Sequence, residues 1–400
     1  MLQIFGVFYA SILILGGILR FFPIFPAIRS FWYLQLAVSE LGLALAVPLA
    51  VPLIVMTAAY FKKDGPVFTG LTAVLYFLAP IAIILAVLPV LETIAQERNW
   101  IWDLQYGYGR DEKPDTRISS PYVGDLSRPL FRFMDFFHFP THPFALKEEF
   151  VTADGAKLPI YIFRSQIGKE ATLHPWVFSI HGGGWSNGDP RDLDQTVPFL
   201  TEYGYTVIAS RYRFAPTYSW PRQQEDLETA YDYVIKNAQR LGIDPKQMWI
   251  LGRSAGGQIA LKLAYDSKVV RDVKGVIALY TPTDLDFGYR WAQTEDILGS
   301  RDMLKDLIGT TPDLDAAKYR AASPLADVRP GLPPTLLMHG RADPLAWYRH
   351  SDRLSDALRA AKVHVVHLEL PWATHGFDYF PNSPAGQITR NAILRFMENP

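Results

Sequence analysis

Cysteine is missing from all 400 residues, which removes disulfides, thiolate metal sites and a cysteine nucleophile at once. The absence does not choose a compartment, since a cysteine-free chain suits reducing and oxidising surroundings alike. An excess of one charge is missing too: 39 Lys+Arg stand against 40 Asp+Glu, a formal net charge of −1. That excludes the basic surface expected of a nucleic-acid binder. No H-E-x-x-H or similar metal-ligand spacing occurs, so neither a metal nor an organic cofactor is expected. Met1–Ala10 contains no Lys or Arg, unlike the positive start of a cleaved signal peptide.

Charge is also nearly absent from residues 1–91, where three apolar stretches can be read, Leu2–Leu19, Leu41–Phe61 and Val67–Leu91. About 20 helical residues cross a hydrocarbon core of about 30 Å. The second and third stretches meet that length without an internal charge, and the first is closed by Arg20. Lys62, Lys63, Asp64 and Gly65 form a polar turn that suits a helical hairpin. Pro48, Pro52, Pro80 and Pro89 fall inside the stretches, and membrane helices tolerate proline better than soluble ones do. Residues 1–91 are therefore expected to be a transmembrane helical region of about three spans, with membrane lipid as a partner. Basic residues flank the spans almost evenly, so the positive-inside rule does not orient the chain. The spans hold no internal charge of the kind a transport pathway needs.

Residues 92–145 read as an aromatic-rich linker or lid, with Trp100, Trp102, Tyr106 and Tyr108 followed by a second cluster from Phe131 to Phe139. From residue 146 to 400, short β-rich runs alternate with helical periodicity, which predicts a mostly parallel sheet with helices on both faces. The expected strands include Leu158–Phe163, Trp176–Ile180, Thr206–Ser210, Met248–Leu251, Val276–Tyr280, Thr335–Met338 and Val363–Leu368. The expected helices are Pro221–Leu241, Gly256–Tyr265, Tyr348–Ala361 and Gln387–Met397. The stretch 285–330 breaks the rhythm and reads as an insertion over the sheet, which with 131–144 is expected to shape the substrate pocket.

Gly252-Arg253-Ser254-Ala255-Gly256 matches G-x-S-x-G. Alone, that pattern would turn up by chance in about one chain in ten of this length. Here it sits between a strand and a helix, the setting of a nucleophile elbow. His181-Gly182-Gly183-Gly184-Trp185 follows another strand. Its bare backbone N–H groups suit the oxyanion of acyl transfer, with Gly183, Gly184 and Ala255 as donors. A phosphate loop would need a Gly-Lys-Ser/Thr ending, which is absent. A serine nucleophile needs a base and an orienting acid, here in the chain order Ser, Asp or Glu, His. Asp343 follows one late strand and His375 the next, so these are the expected acid and base, with Asp378 the second candidate acid. His181 precedes the nucleophile and is expected to be structural. His339, His350, His364 and His367 are expected to pack or face solvent.

Residues 145–400 resemble the hormone-sensitive-lipase-like branch of the α/β-hydrolase carboxylesterases. The resemblance rests on His181–Trp185, Gly252–Gly256, the Asp343 and His375 loops, and Tyr212-Arg213-Phe214-Ala215-Pro216 followed by Trp220-Pro221 and Asp226. It implies an α/β-hydrolase fold behind the transmembrane region, with Ser254 as nucleophile, His375 as general base, Asp343 as its acid, and Gly183, Gly184 and Ala255 as the oxyanion hole. It also implies hydrolysis of a carboxylic ester through an acyl-enzyme, the substrate being a small-molecule or lipid-like ester. Thr217 departs from the Glu often found there, and the membrane region is not typical of the soluble bacterial members. Gly184–Asp189 is also similar to feruloyl-esterase-like and formamidase-like enzymes. An amidase or acyltransferase would use the same three residues, and a catalytically silent, membrane-anchored binding protein is the non-enzymatic alternative.

Overall fold

The computed structural model describes residues 2–19, 21, 29–60, 70–106, 129–137, 143–167, 173–193, 196–292, 296 and 299–398. The polar turn at Lys62–Gly65 and residues 107–128 and 138–142 of the linker lie outside them. Three helices open the chain, α1 (Leu2–Leu19), α2 (Arg29–Tyr60) and α3 (Gly70–Tyr106). They pack on one another through a small apolar cluster that includes Ala10, Leu13, Val38, Leu75 and Ala79. Small residues let the backbones close in. A Cβ at Gly42 would lie 2.0 Å from the Ala86 carbonyl oxygen. Two of the three, α2 and α3, are long and apolar enough to cross a membrane, and α1 is shorter.

Both long helices outrun the apolar stretches that predicted them. Where Leu41 was expected to start a span, α2 has already begun at Arg29, and α3 continues past Leu91 through the charged residues 92–106. No proline or glycine interrupts either extension, so a helix already nucleated simply propagates. The extensions are held by the rest of the chain. Trp100 and Leu104 are buried in the apolar cluster beneath the sheet, with the Trp100 ring 6.0 Å from that of Trp372. Residues 92–106 at the start of the linker are thus helical.

The sheet has eight strands: β1 (Ala145–Val151), β2 (Lys157–Phe163), β3 (His174–Ile180), β4 (Thr206–Ser210), β5 (Ile243–Arg253), β6 (Val273–Leu279), β7 (Thr335–Gly340) and β8 (Val365–Leu370). Their order is β1-β2-β4-β3-β5-β6-β7-β8. Strand β2 runs antiparallel to both its neighbours, β1 and β4, and β4, β3, β5, β6, β7 and β8 pair with one another in parallel. The central strands are buried on both faces, as covered parallel sheets require. Covering them are α4 (Val197–Glu202), α5 (Arg222–Lys236), α6 (Ala238–Leu241), α7 (Ala255–Tyr265), α11 (Arg349–Ala360) and α12 (Pro384–Glu398). Within the insertion lie α8 (Leu285–Trp291), α9 (Ser300–Ile308) and α10 (Ala316–Ala322). In open α/β sheets, ligands bind beyond the carboxyl ends of the strands. The loops after β3, β5, β7 and β8 carry the four sequence motifs to that one edge.

Candidate active site

Ser254 lies between β5 and α7 with φ +51° and ψ −124°. A residue with a Cβ rarely holds positive φ, and such strain persists only where the surroundings over-determine it. Here the Ser254 N–H donates to the Leu279 carbonyl (2.9 Å), and the Ser254 carbonyl accepts from Gly257 N–H (2.9 Å). The turn aims Oγ at Nε2 of His375, 3.0 Å away. On its other side, His375 donates from Nδ1 to Asp343 Oδ2 at 2.7 Å. That donation leaves Nε2 of the neutral ring free to accept the serine proton. Asp343 is fixed in turn, because its Oδ1 accepts from the backbone N–H of Leu345 (2.8 Å) and Ala346 (2.9 Å). Burial alone would raise the Asp343 carboxyl, but His375 and His339 beside it hold it well below the usual carboxylate range. The structure thus brings Ser254, His375 and Asp343 into one hydrogen-bonded line.

Of the three expected oxyanion donors, Gly184 and Ala255 line the same cavity as Ser254 and His375. Ala255 is the first residue of α7, so its N–H has no partner within the helix and the helix dipole favours negative charge there. Gly183 is not in the lining; its carbonyl accepts from Ser186 and Asn187 N–H, both at 3.1 Å. The cavity is about 320 Å³ and is walled largely by Trp291, Met303, Leu304, Leu345 and Trp347. Helices α8 and α9 of the insertion supply the first three of these. The expected contribution of the aromatic segment does not appear among the described residues. Instead the N–H of Phe131 donates to Glu97 (3.1 Å), and that of Arg132 donates to Gln387 (2.9 Å), tying the segment to α3 and α12.

Asp378, the second candidate acid, is committed elsewhere. It accepts from Arg253 Nε (2.5 Å) and from the Tyr280 hydroxyl (2.8 Å). Tyr280 sets its ring edge-on to His375 at 4.6 Å, so this network backs the base without competing for it. Neither Arg253 nor Tyr280 carries a sequence signal beyond standing beside a motif. Tyr212 and Arg213 do structural work: the Tyr212 hydroxyl donates to the His181 carbonyl (3.1 Å), and Arg213 forms a buried pair with Asp226 at 2.6 Å.

The remaining histidines separate cleanly. The His181 ring stacks on Tyr212 at 4.4 Å and donates from Nδ1 to the Gly182 carbonyl, shaping the glycine loop as expected. His339 pairs Nδ1 with Ser351 (2.7 Å) and donates from Nε2 to the Ala346 carbonyl (2.8 Å). The His364 ring packs near Phe396. His350 Nδ1 accepts from Thr283 N–H at 3.2 Å, which requires it neutral. Burial pushes His181 down to about 4 and His350 down to about 3. A depressed folded-state value means that the unfolded chain takes up protons first as the pH falls. The stability contribution is therefore intact above about 6.5 and is lost progressively towards about 4 for His181 and about 3 for His350. At pH 5 each of the two costs roughly 2 kcal/mol. The thermal midpoint of the detergent-solubilised protein should drop between pH 7.5 and 5, and His350→Gln, which cannot protonate, should flatten that slope; an equal slope in the variant would contradict the assignment.

A mostly parallel sheet with a strand–turn–helix serine and an acid and base on the later strand ends defines an α/β-hydrolase fold. Solved structures carry the same fold: an esterase from Pyrobaculum calidifontis superposes with a TM-score of 0.55 at 24% identity, over 65% of this chain and 86% of that one. A family model described as BD-FAE matches residues 160–358. The chain is 28% identical over 232 residues to the probable carboxylic ester hydrolase LipM of Mycobacterium tuberculosis, covering 56% of this chain and 54% of LipM. It is 29% identical over 266 residues to the versiconal hemiacetal acetate esterase of Dothistroma septosporum, covering 60% and 77% respectively. The matched region thus spans about half the length of the mycobacterial relative. The fold is thus that of the solved esterase, and the curated relatives it matches are themselves named as ester hydrolases.

Proposed function

We propose that this chain is a membrane-anchored serine carboxylesterase acting on hydrophobic esters through an acyl-enzyme. The observation that carries the reading is the line from Ser254 Oγ through His375 to Asp343, with steps of 3.0 and 2.7 Å, opening into an apolar cavity beside Gly184 and Ala255. His375 Nε2 takes the Ser254 proton as Oγ bonds to the ester carbonyl carbon, and the carbonyl oxygen becomes an oxyanion. The N–H groups of Gly184 and Ala255, which line the cavity, stabilise that charge, and Gly183 holds the turn through its carbonyl. Collapse breaks the bond to the alkoxy oxygen, which leaves as the alcohol with the proton from His375. Water then gives a proton to His375 and attacks the acyl carbon, releasing the acid and restoring Ser254. Asp343 stays ionised throughout and keeps the imidazole in the required tautomer.

Anchoring is supported by what α2 and α3 leave uncovered. Val51, Ile54 and Val55 on α2 and Phe77 and Ile84 on α3 are between 54% and 69% exposed. The core helix of a soluble protein buries such side chains, whereas a lipid-facing one does not. The apolar wall of the cavity fits an acyl or alkyl chain, which is why hydrophobic esters are favoured.

The test uses the full chain in detergent with a fluorophosphonate probe and a graded p-nitrophenyl ester series. Wild type should be labelled and should cleave esters with longer acyl chains faster than acetate. Ser254→Ala should lose labelling and turnover together, by at least about 10³-fold. Retained turnover in Ser254→Ala would remove the serine mechanism, and a clear preference for acetate would remove the hydrophobic-ester part.

A further inference from the structure

We infer that α2, besides anchoring the chain, holds the two loops that carry the base and the acid, with Trp32 and Gln35 as positioning residues. The inference rests on the serine-hydrolase reading above. The Trp32 indole N–H donates to the backbone carbonyl of His375 itself, at 3.1 Å, and its Cζ2 would be 3.9 Å from a Cβ at Gly376, the next residue in that loop. Gln35 donates from Nε2 to the backbone carbonyl of Ala342 at 3.2 Å, immediately before Asp343. Residues three apart project from neighbouring positions on one helix face, so a single helical turn grips both loops. Gln35 is buried, and a hydrogen bond there is shielded from competition by water.

The grip acts on the distance between His375 and Asp343, one of the two the mechanism depends on. Asp343 is locked to its own loop by two backbone N–H groups, and His375 reaches it from a loop after a different strand. The two loops share a direct bond, from Ala342 N–H to the Ala373 carbonyl (3.1 Å), and α2 adds a rigid bar across both. Further along α2, Glu40 accepts from Ala385 N–H at 3.2 Å, fixing the start of α12, which follows the His375 loop. Among the described residues, none of α2 lines the cavity. Its effect must therefore pass through the His375–Asp343 pair and appear in the chemical step, not in substrate binding.

The experiment compares Trp32→Phe, which keeps a ring but loses the N–H, with Gln35→Leu and the double variant, all as full chains in detergent beside wild type and Ser254→Ala. Each single change should lower kcat about fivefold to tenfold and the double change at least about thirtyfold, with KM within about twofold of wild type. Fluorophosphonate labelling should slow in parallel. Hydrogen exchange, which needs no substrate, should quicken by at least about tenfold at 340–346 and 373–377 in the double variant and stay unchanged in the central strands. A double variant with wild-type kcat and wild-type loop exchange overturns the brace, as does a rise in KM at constant kcat. If wild type itself shows no turnover that depends on Ser254, the esterase reading fails, and loop exchange alone still decides whether α2 holds the loops.

Discussion

In Asp343→Asn, kcat should fall by about 10³- to 10⁴-fold while the protein stays folded and KM changes little. The size follows from which carboxylate oxygen does what. Oδ1 accepts from two backbone N–H groups, those of Leu345 and Ala346, so an asparagine must keep its carbonyl oxygen on that side. Its amide NH₂ then occupies the place of Oδ2 and points a donor at Nδ1 of His375. The imidazole answers by carrying its proton on Nε2, where it faces Ser254 and can no longer accept. One substitution of equal size thus inverts the tautomer of the base. Steady-state turnover of a p-nitrophenyl ester measures it, and a loss smaller than about tenfold would show that the acid is another group.

Gly256→Ala should be nearly as damaging for a reason of packing. A Cβ at 256 would stand 2.3 Å from the His181 carbonyl oxygen and 2.4 Å from that of Ile180. Both atoms are backbone at the end of β3, where nothing can swing aside. Either α7 retreats, carrying Ser254 away from His375, or the end of β3 retreats with the glycine loop. A misplacement of about 1 Å costs on the order of a hundredfold in rate, and forced overpacking costs about 1–3 kcal/mol of stability. Turnover and the thermal midpoint should therefore fall together. Full activity in Gly256→Ala would mean that the elbow is looser than its φ and contacts imply.

The sequence marks the chemistry better than it marks what supports it, and the reason is local. Ser254, Asp343 and His375 each follow a β-rich run at a turn, so strand ends and chain order lead to them without knowledge of the tertiary contacts. Trp32 and Gln35 meet their partners across more than three hundred residues, and nothing in the residues around them hints at it. The apolar region ends at Leu91 although α3 runs on to Tyr106, because hydropathy changes there while the helix does not. Strand β1 is hidden in the sequence because Lys147, Glu148 and Glu149 interrupt its alternation, although all seven of its residues pair with β2 in regular register. Helix propensity read 221–241 as one element, and the structure interrupts it at Asn237, whose side chain donates to the Tyr233 carbonyl. Chain order favours Asp343 over Asp378 as the acid, and the partners Arg253 and Tyr280 show that Asp378 is already spent.

The length of the two long helices carries a mechanical meaning. At about 1.5 Å per residue, the 32 residues of α2 and the 37 of α3 measure roughly 48 and 55 Å, against a hydrocarbon thickness of about 30 Å. With the proposed spans in lipid, the remaining turns stand clear of it as a stiff pedestal, clamped to the catalytic part through Trp32, Gln35, Glu40 and Trp100. An enzyme on a supple tether tumbles freely and samples a range of heights above the bilayer. On this mount, the tumbling of the catalytic part is that of its helices, and its mouth stays at one height and one tilt. Turnover on vesicles should accordingly follow the surface density of ester in the lipid and the thickness of the bilayer rather than bulk ester concentration alone.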